Sequence, residues 1–195
     1  MKMIGEGAEA KIYALDIFGT DALAKNRVEK KYRVPQLDIE IRETRTRKEA
    51  RILYALSNAG VNAPRLIGLG KFTIYMSRLE GKLLKDIKAE PAEFAKIGGQ
   101  LALMHNANVS HGDFTPANIM KCKGEYFIID FGLAEISNSI EEKAIDLLLI
   151  KRSSTGSQYS SLLKGYAKVS KNSKEILERL EEIEKRGRYQ VRTLS

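Results

Sequence analysis

The sequence predicts an α+β chain: a small β-rich lobe over residues 1–76, a connection at 77–81 and a reduced helical lobe over 82–195. Three observations lead there. The N-terminal segment alternates short apolar runs with glycines, as strands joined by tight loops do. A long, highly charged helix pattern interrupts those strands. Past residue 90 the apolar residues recur at helical spacing, broken by one hairpin. A chain of 195 residues can bury one substantial core, and 43% apolar with 30% charged residues is the balance of a soluble globular fold.

In chain order, Ile4-Gly5-Glu6-Gly7-Ala8-Glu9-Ala10-Lys11-Ile12-Tyr13 reads as the end of a strand, a tight loop and a second strand. Gly5 and Gly7 let the backbone approach an anion closely and offer it loop amides. The pattern is G-x-G-x-x-A, with Ala10 in the third glycine position, and a plain hairpin turn fits it equally well. Ala22-Leu23-Ala24-Lys25 is a third strand from which a lysine emerges, whereas Lys30 and Lys31, in a polar stretch ending at Pro35, read as surface residues. Residues 37–56 form a helix with apolar positions Ile39, Ala50, Leu53 and Leu56, stopped by Asn58-Ala59-Gly60. Residues 66–69 and 72–76 are two strands joined near Gly70. Residues 91–106 have the period of a buried helix through Phe94, Ile97, Leu101 and Met104, despite Gly98-Gly99. A hairpin turns at Gly124. Residues 139–152, 162–169 and the amphipathic 173–185 are helices, with a mobile loop at 153–157 and a mobile basic tail after Lys185.

The chemistry is decided by His111-Gly112-Asp113-Phe114-Thr115-Pro116-Ala117-Asn118 and, after the apolar run 126–129, Asp130-Phe131-Gly132. Asn118 follows Asp113 by five residues and Asp130 follows it by seventeen. A protein-kinase type of phosphoryl-transfer site needs this set. Asp113 accepts the proton of the attacking hydroxyl, and Asn118 with Asp130 holds Mg²⁺ against the triphosphate of ATP. Each tripeptide alone is an ordinary turn; their order and spacing together are not. Lys25 is then the lysine for the α- and β-phosphates. Glu49, 24 residues later, is the helix carboxylate that orients it, the competing reading being a surface pair with Arg45. Ile4, Gly5, Glu6, Gly7, Ala8, Glu9, Ala10 and Ile12 become the nucleotide lid, and Met76, Ser77 and Leu79 present backbone groups to the adenine edge. Gly112 stands where protein kinases carry the arginine that anchors a phosphorylated activation loop. That predicts control by a docked partner instead.

Composition narrows the partners. A net charge of +8 is concentrated over residues 25–51 and in the tail, and favours either anionic partners such as nucleotides and RNA or a solvated helix face. Cys122 is the sole cysteine, which excludes an internal disulfide and a cysteine metal cluster. His105 and His111 are too few to suggest a metal site. No apolar run approaches the roughly 20 residues of a membrane span and no signal peptide opens the sequence, so a cytoplasmic protein without membrane attachment is expected.

With these residues in place, the chain resembles the small atypical serine/threonine kinase of the KEOPS complex, the PRPK family of archaea and eukaryotes, almost end to end. The resemblance rests on Gly7-Ala8-Glu9-Ala10, Lys30-Lys31-Tyr32-Arg33-Val34-Pro35-Gln36-Leu37-Asp38, Arg45-Thr46-Arg47-Lys48-Glu49-Ala50-Arg51, His111-Gly112-Asp113, Asp130-Phe131-Gly132, Lys143-Ala144-Ile145-Asp146-Leu147 and Arg186-Gly187-Arg188. It implies a minimal protein-kinase-like fold and the use of ATP and Mg²⁺ for autophosphorylation or ATP hydrolysis. It also implies work beside the threonylcarbamoyl-transferase metalloenzyme and other KEOPS subunits, with tRNA met through the complex. By matching positions, Lys25 and Glu49 are the phosphate-orienting pair, Asp113 the base or water-orienting group, and Asn118 and Asp130 the metal ligands. Tyr189-Gln190-Val191-Arg192 and Leu147-Leu148-Leu149 depart from the family pattern, which bears on tail contacts and not on the catalytic set. Two alternatives stand beside this reading. One is a RIO-type or small-molecule kinase, which also uses His-Gly-Asp, although RIO proteins usually lack Asp-Phe-Gly. The other is a catalytically weak adaptor for RNA or protein, disfavoured by the presence of all five polar active-site residues.

Overall fold

The structure, a computed structural model, describes residues 1–192, with side chains to residue 186. The chain divides into two compact units, residues 1–58 with 63–80 and residues 59–62 with the chain from Gly81 onward.

The first unit is a five-stranded antiparallel sheet with one helix. Its strands are β1 (Lys2–Glu6), β2 (Ala10–Ile17), β3 (Thr20–Arg27), β4 (Leu66–Leu69) and β5 (Thr73–Ser77), in the order β1-β2-β3-β5-β4. The β2–β3 hairpin turns on Phe18 and Gly19, at φ 51° and 79°, and the Asp16 carboxylate accepts the Gly19 amide at 2.9 Å. The helix α1 (Pro35–Asn58) starts two residues before the position expected from the apolar pattern, with Pro35 in its first turn, where a missing N–H costs nothing. Gly60, at φ 71°, carries the chain out of it. Ile52, Leu53 and Leu56 of α1 and Ala22, Ala24, Ile74 and Met76 of the sheet are buried, and each fully buried Leu or Ile contributes about 1.5–3 kcal/mol.

The second unit contains β6 (Lys82–Leu83), α2 (Phe94–Asn106), β7 (Val109–Ser110), β8 (Ile119–Cys122), β9 (Glu125–Ile128), β10 (Glu135–Ile136), α3 (Ile140–Arg152), α4 (Gly156–Val169) and α5 (Ser173–Arg192). Strands β6-β8-β9 form one antiparallel sheet and β10-β7 a second, two-stranded one. Helices α2 and α4 make the most extensive helix contact. They touch backbone to backbone: a Cβ on Gly98 would lie 2.0 Å from the Leu162 carbonyl oxygen, and one on Gly165 would lie 1.9 Å from that of Ala95. The glycine that weakens the helix pattern of residues 91–106 is thus the one that permits the crossing.

Toward the C-terminus further expectations change. Helix α4 begins at Gly156, six residues ahead of 162, because Thr155 accepts the Gln158 amide and the Gln158 side chain accepts the Thr155 amide in a capping box. The expected mobile loop shrinks to Ser153, Ser154 and Thr155, and both serine hydroxyls bond carbonyls of the last turn of α3. Helix α5 runs on to Arg192, past the end at Lys185 expected from the apolar pattern. The side chains of the basic tail from Gly187 onward, including Arg188 and Arg192, lie outside the described residues. Among the described residues no helix is long and apolar enough to cross a membrane.

Candidate active site

In the first unit, Lys25 lies on β3 between Ile12 of β2 and Ile74 of β5. Its ammonium donates to Glu49 Oε1 at 2.7 Å, and both side chains are largely buried, at 12% and 3% exposure. Residues two apart on a strand share a face, so Arg27 points the same way and donates from Nη2 to Glu49 Oε2 at 2.6 Å. The carboxylate is therefore divided between the lysine and an arginine. Arg45, considered as a surface partner for Glu49, turns instead to Glu9, which Arg27 Nη1 also approaches at 3.4 Å. The hydrogen bond from Arg45, helped by the charges of Arg27 and Arg33, holds the Glu9 carboxyl below its ordinary range against the opposing effect of partial burial.

Glu9 belongs to the glycine-rich loop, so these bonds anchor it. The Gly7 amide closes the loop on the Ala10 carbonyl at 2.9 Å, and the Val28 amide donates to the Glu9 carbonyl at 3.2 Å. Lys30, expected to be a surface bystander, reaches the Ala8 carbonyl with its ammonium, while its amide donates to Asp38 at 3.2 Å. Asp38 is buried at the start of α1, also accepts a hydrogen bond from Arg42 at 2.6 Å, and forms an ion pair with Arg33 at 3.5 Å. Arg47 pairs with Glu43. The basic stretch at 25–51, open between an RNA-facing and a solvated reading, is largely committed to carboxylates of its own unit.

The remaining nucleotide candidates of this unit lie on its strands. Ile12 pairs with Gly5 on one side and Lys25 on the other, and Ile4 and Glu6 lie on the outer strand β1. Met76 is buried between Leu23 and Leu66. The Ser77 amide donates to the Arg65 carbonyl at 2.9 Å and the Arg78 amide to the Asp21 carbonyl at 3.1 Å. Of the amides at 77–79, that of Leu79 is the one for which the described residues supply no backbone partner.

In the second unit, the loop bearing Asp113 hangs from Asp146 of α3, a fully buried carboxylate. Its Oδ2 accepts the His111 amide at 2.6 Å and its Oδ1 the Gly112 amide at 2.9 Å. His105 Nε2 lies 3.1 Å from Oδ2, and Tyr166 OH lies 2.7 Å from His105 Nδ1. Burial pushes the His105 pKa down, partly opposed by Asp146. The His111 ring is also buried. Its Nδ1 accepts the Asp113 amide at 3.2 Å, which leaves Nε2 to donate to the Ile129 carbonyl at 3.1 Å. Phe114 and Phe131 flank the ring. Gly112 has φ 77°, and a Cβ there would lie 2.7 Å from the Leu133 carbonyl oxygen. The arginine of ordinary kinases is therefore excluded at this position by both conformation and space.

Asn118 Nδ2 donates to the Asp113 carbonyl and to Asp113 Oδ2, each at 2.8 Å, which fixes the carboxylate and leaves the amide oxygen of Asn118 as an acceptor. The β8–β9 register opposes Ile119 to Ile128, and the Ile129 amide donates to the Asn118 carbonyl at 2.9 Å. That pairing brings Asp130, the next residue, to the same end of the hairpin as Asn118. Asp130 has φ 61°, and its carboxylate accepts the Gly132 amide at 3.4 Å. The Asp130 carboxylate and the free amide oxygen of Asn118 are both oxygen donors. They suit Mg²⁺, which takes one or two protein carboxylates and completes its shell with water and phosphate oxygens.

Comparison with known proteins places this arrangement. The RIO domain profile matches residues 9–149. The chain is also 36% identical to the KEOPS complex subunit Bud32 of Pyrococcus abyssi over 216 aligned positions, covering 99% of this chain and 98% of that one. The chain belongs to the RIO-domain family, in its Bud32 group. A probable bifunctional tRNA threonylcarbamoyladenosine biosynthesis protein of Methanobrevibacter smithii is 38% identical over 96% of this chain, which spans 36% of that longer protein. Among solved structures, the Rio2 kinase–ADP/Mg²⁺–phosphoaspartate complex from Chaetomium thermophilum aligns over 95% of this chain and 70% of its own, with a TM-score of 0.62 at 19% identity. That likeness establishes the protein-kinase-like fold. The KEOPS-kinase resemblance and the RIO-type alternative, set apart in the sequence, converge in Bud32: one family contains both, and Asp-Phe-Gly does not separate them.

Sequence reasoning missed Arg27, Asp146 and His105. Arg27 was visible as a second charge two residues beyond Lys25, on the same face of the strand. Asp146 stood within the run 143–147 without an assigned role, and nothing local marks His105 as its partner.

Proposed function

We propose that this chain is an Mg-ATP-dependent atypical kinase or ATPase that serves as a KEOPS subunit in the threonylcarbamoyl-adenosine modification of tRNA. The observation that carries the reading is the pair of hydrogen bonds from Asn118 to Asp113, with Asp130 one residue beyond the Ile129 amide that binds the Asn118 carbonyl. Asp113, steadied by Asn118, would accept the proton of a serine or threonine hydroxyl or orient a water. Asn118 and Asp130 would hold Mg²⁺, whose charge screens the triphosphate. Lys25, steadied by Glu49, would neutralise the α- and β-phosphates, with the loop from Gly5 to Ala10 above them and the Leu79 amide free for the adenine. The KEOPS assignment rests on near full-length similarity to Bud32 of Pyrococcus abyssi. It brings a threonylcarbamoyl-transferase metalloenzyme and the other subunits as partners, tRNA through the complex, and the cytoplasm as the compartment. Because Gly112 leaves no arginine for a phosphorylated loop, a docked partner is the proposed activator.

The test is phosphate release and autophosphorylation by the purified chain, with and without Mg²⁺ and with the metalloenzyme added. Asp113→Ala and Asp130→Ala should each lose a hundredfold or more, about 3 kcal/mol of barrier, at unchanged melting temperature. Parent-rate turnover by either folded variant would overturn the assignment.

A further inference from the structure

The guanidinium of Arg27 is 4% exposed and joins two carboxylates that belong to different parts of the first unit. Nη2 holds Glu49 on α1 at 2.6 Å, and Nη1 approaches Glu9 in the glycine-rich loop at 3.4 Å. Its Nε is buried with no hydrogen-bond partner among the described residues. A buried donor left unsatisfied is destabilising, and here that arrangement goes with both Nη groups reaching acids.

We infer that Arg27 is a positioning residue for phosphate binding, one that holds Glu49 in place for Lys25 and, through Glu9, ties the glycine-rich loop to the same carboxylate. This rests on the proposed phosphate-binding role of Lys25. With a lysine as its only partner, Glu49 would be stranded as a buried carboxylate whenever that lysine turned toward a phosphate, and a buried unpaired charge is strongly disfavoured. Arg27 removes this penalty by keeping Oε2 neutralised while Lys25, on Oε1, is shared with the ligand. The second Arg27 contact then makes the loop and the lysine respond together. Loosening Glu49 loosens the loop that covers the phosphates.

The experiment uses the full chain, with Mg-ATP affinity, kcat, KM and melting temperature measured on Arg27→Met, Arg27→Lys and Glu9→Gln, alongside Lys25→Met and Asp113→Ala. Arg27→Met should weaken Mg-ATP binding and raise KM tenfold or more, with a smaller change in kcat. Arg27→Lys, which keeps the charge but makes one contact at a time, should recover part of that loss. Glu9→Gln, at a half-exposed position that leaves the fold intact, should raise KM about threefold, and it carries the test should Arg27→Met not fold. Adding Arg27→Met to Glu49→Gln should cost no more than Glu49→Gln alone, since both act through one carboxylate. Parent KM in folded Arg27→Met, or in Glu9→Gln, would overturn the inference even with Lys25→Met and Asp113→Ala inactive. Full turnover by Lys25→Met and Asp113→Ala would instead overturn the functional reading on which it rests.

Discussion

Gly98→Ala should destabilise the protein far more than a one-carbon change normally does, and Gly99→Ala beside it should not. An alanine Cβ at 98 would lie 2.0 Å from the Leu162 carbonyl oxygen, whereas carbon–oxygen contacts settle near about 3.3–3.6 Å. The obstruction is backbone, so no side chain can rotate away and α2 must separate from α4 by more than an ångström. That separation disturbs the packing of Phe94, Ile97, Leu101, Leu162 and Tyr166, all buried. Overpacking of this kind costs about 3 kcal/mol, the upper part of its usual range. Alanine returns about 1 kcal/mol through helix propensity, for a net loss of about 2 kcal/mol. At about 2–4 °C per kcal/mol for a chain of this size, the melting temperature should fall about 4–8 °C. At Gly99 the nearest atom to a new Cβ is Val169 Cγ2 at 3.9 Å, an ordinary contact. Gly99→Ala should therefore be neutral or gain up to about 1 kcal/mol. Thermal and urea unfolding of the two variants and the parent provide the assay. A Gly98→Ala protein melting at or above the parent, or a Gly99→Ala protein falling as far, would refute a backbone-to-backbone crossing at this point.

Two further predictions concern charge. Asp146→Asn keeps the shape of the buried carboxylate but turns one acceptor into a donor facing a backbone N–H, so it should cost about 1–3 kcal/mol in denaturant and lower phosphate release at least tenfold by shifting the loop of Asp113; parent turnover would show that the loop does not depend on this anchor. Glu93 accepts hydrogen bonds from Lys121, the Glu90 amide and Tyr126, which lower its pKa from 4.5 to about 2. A depressed carboxylate contributes its stability above pH 4.5 and loses it as the pH falls toward 2. The side chain is 27% exposed and solvent screens the pair, so the contribution is about 1 kcal/mol. Glu93→Gln should lower the urea midpoint at pH 7 and meet the parent near pH 2, and equal midpoints at pH 7 would exclude the effect.

How much was legible in the sequence depended on whether the determinant was local. Lys25, Glu49, Asp113, Asn118 and Asp130 stood out as candidates because phosphoryl-transfer chemistry calls for residue types at fixed spacing, and the structure sets Lys25 against Glu49 and Asn118 against Asp113; the hairpin at Gly124 was legible because its turn demands positive φ. Helix α4 was entered six residues late because the apolar pattern begins at Leu162, while its actual start is set by a hydrogen-bond exchange between Thr155 and Gln158. Gly98 read as a blemish in a helix because the reason for it, the Leu162 carbonyl, is distant in sequence. Arg27 and Arg45 disappeared into a run of positive charge whose partners, Glu9 and Glu49, are assigned only by the fold.

The Asp146 anchor also affects how the second unit breathes. His105 comes from α2, Asp146 from α3 and Tyr166 from α4, so the amides of His111 and Gly112 are tied to a junction of three helices. Loops usually exchange their amide hydrogens through small local openings, at little free-energy cost. Here, release of those two amides requires a buried charge to lose its partners, which needs the helices themselves to part. The segment next to Asp113 should then exchange with deuterium as slowly as the helical core, in one cooperative unit with it. Any substitution that lowers the stability of this core, however far from Asp113, also raises the fraction of time that the loop spends detached.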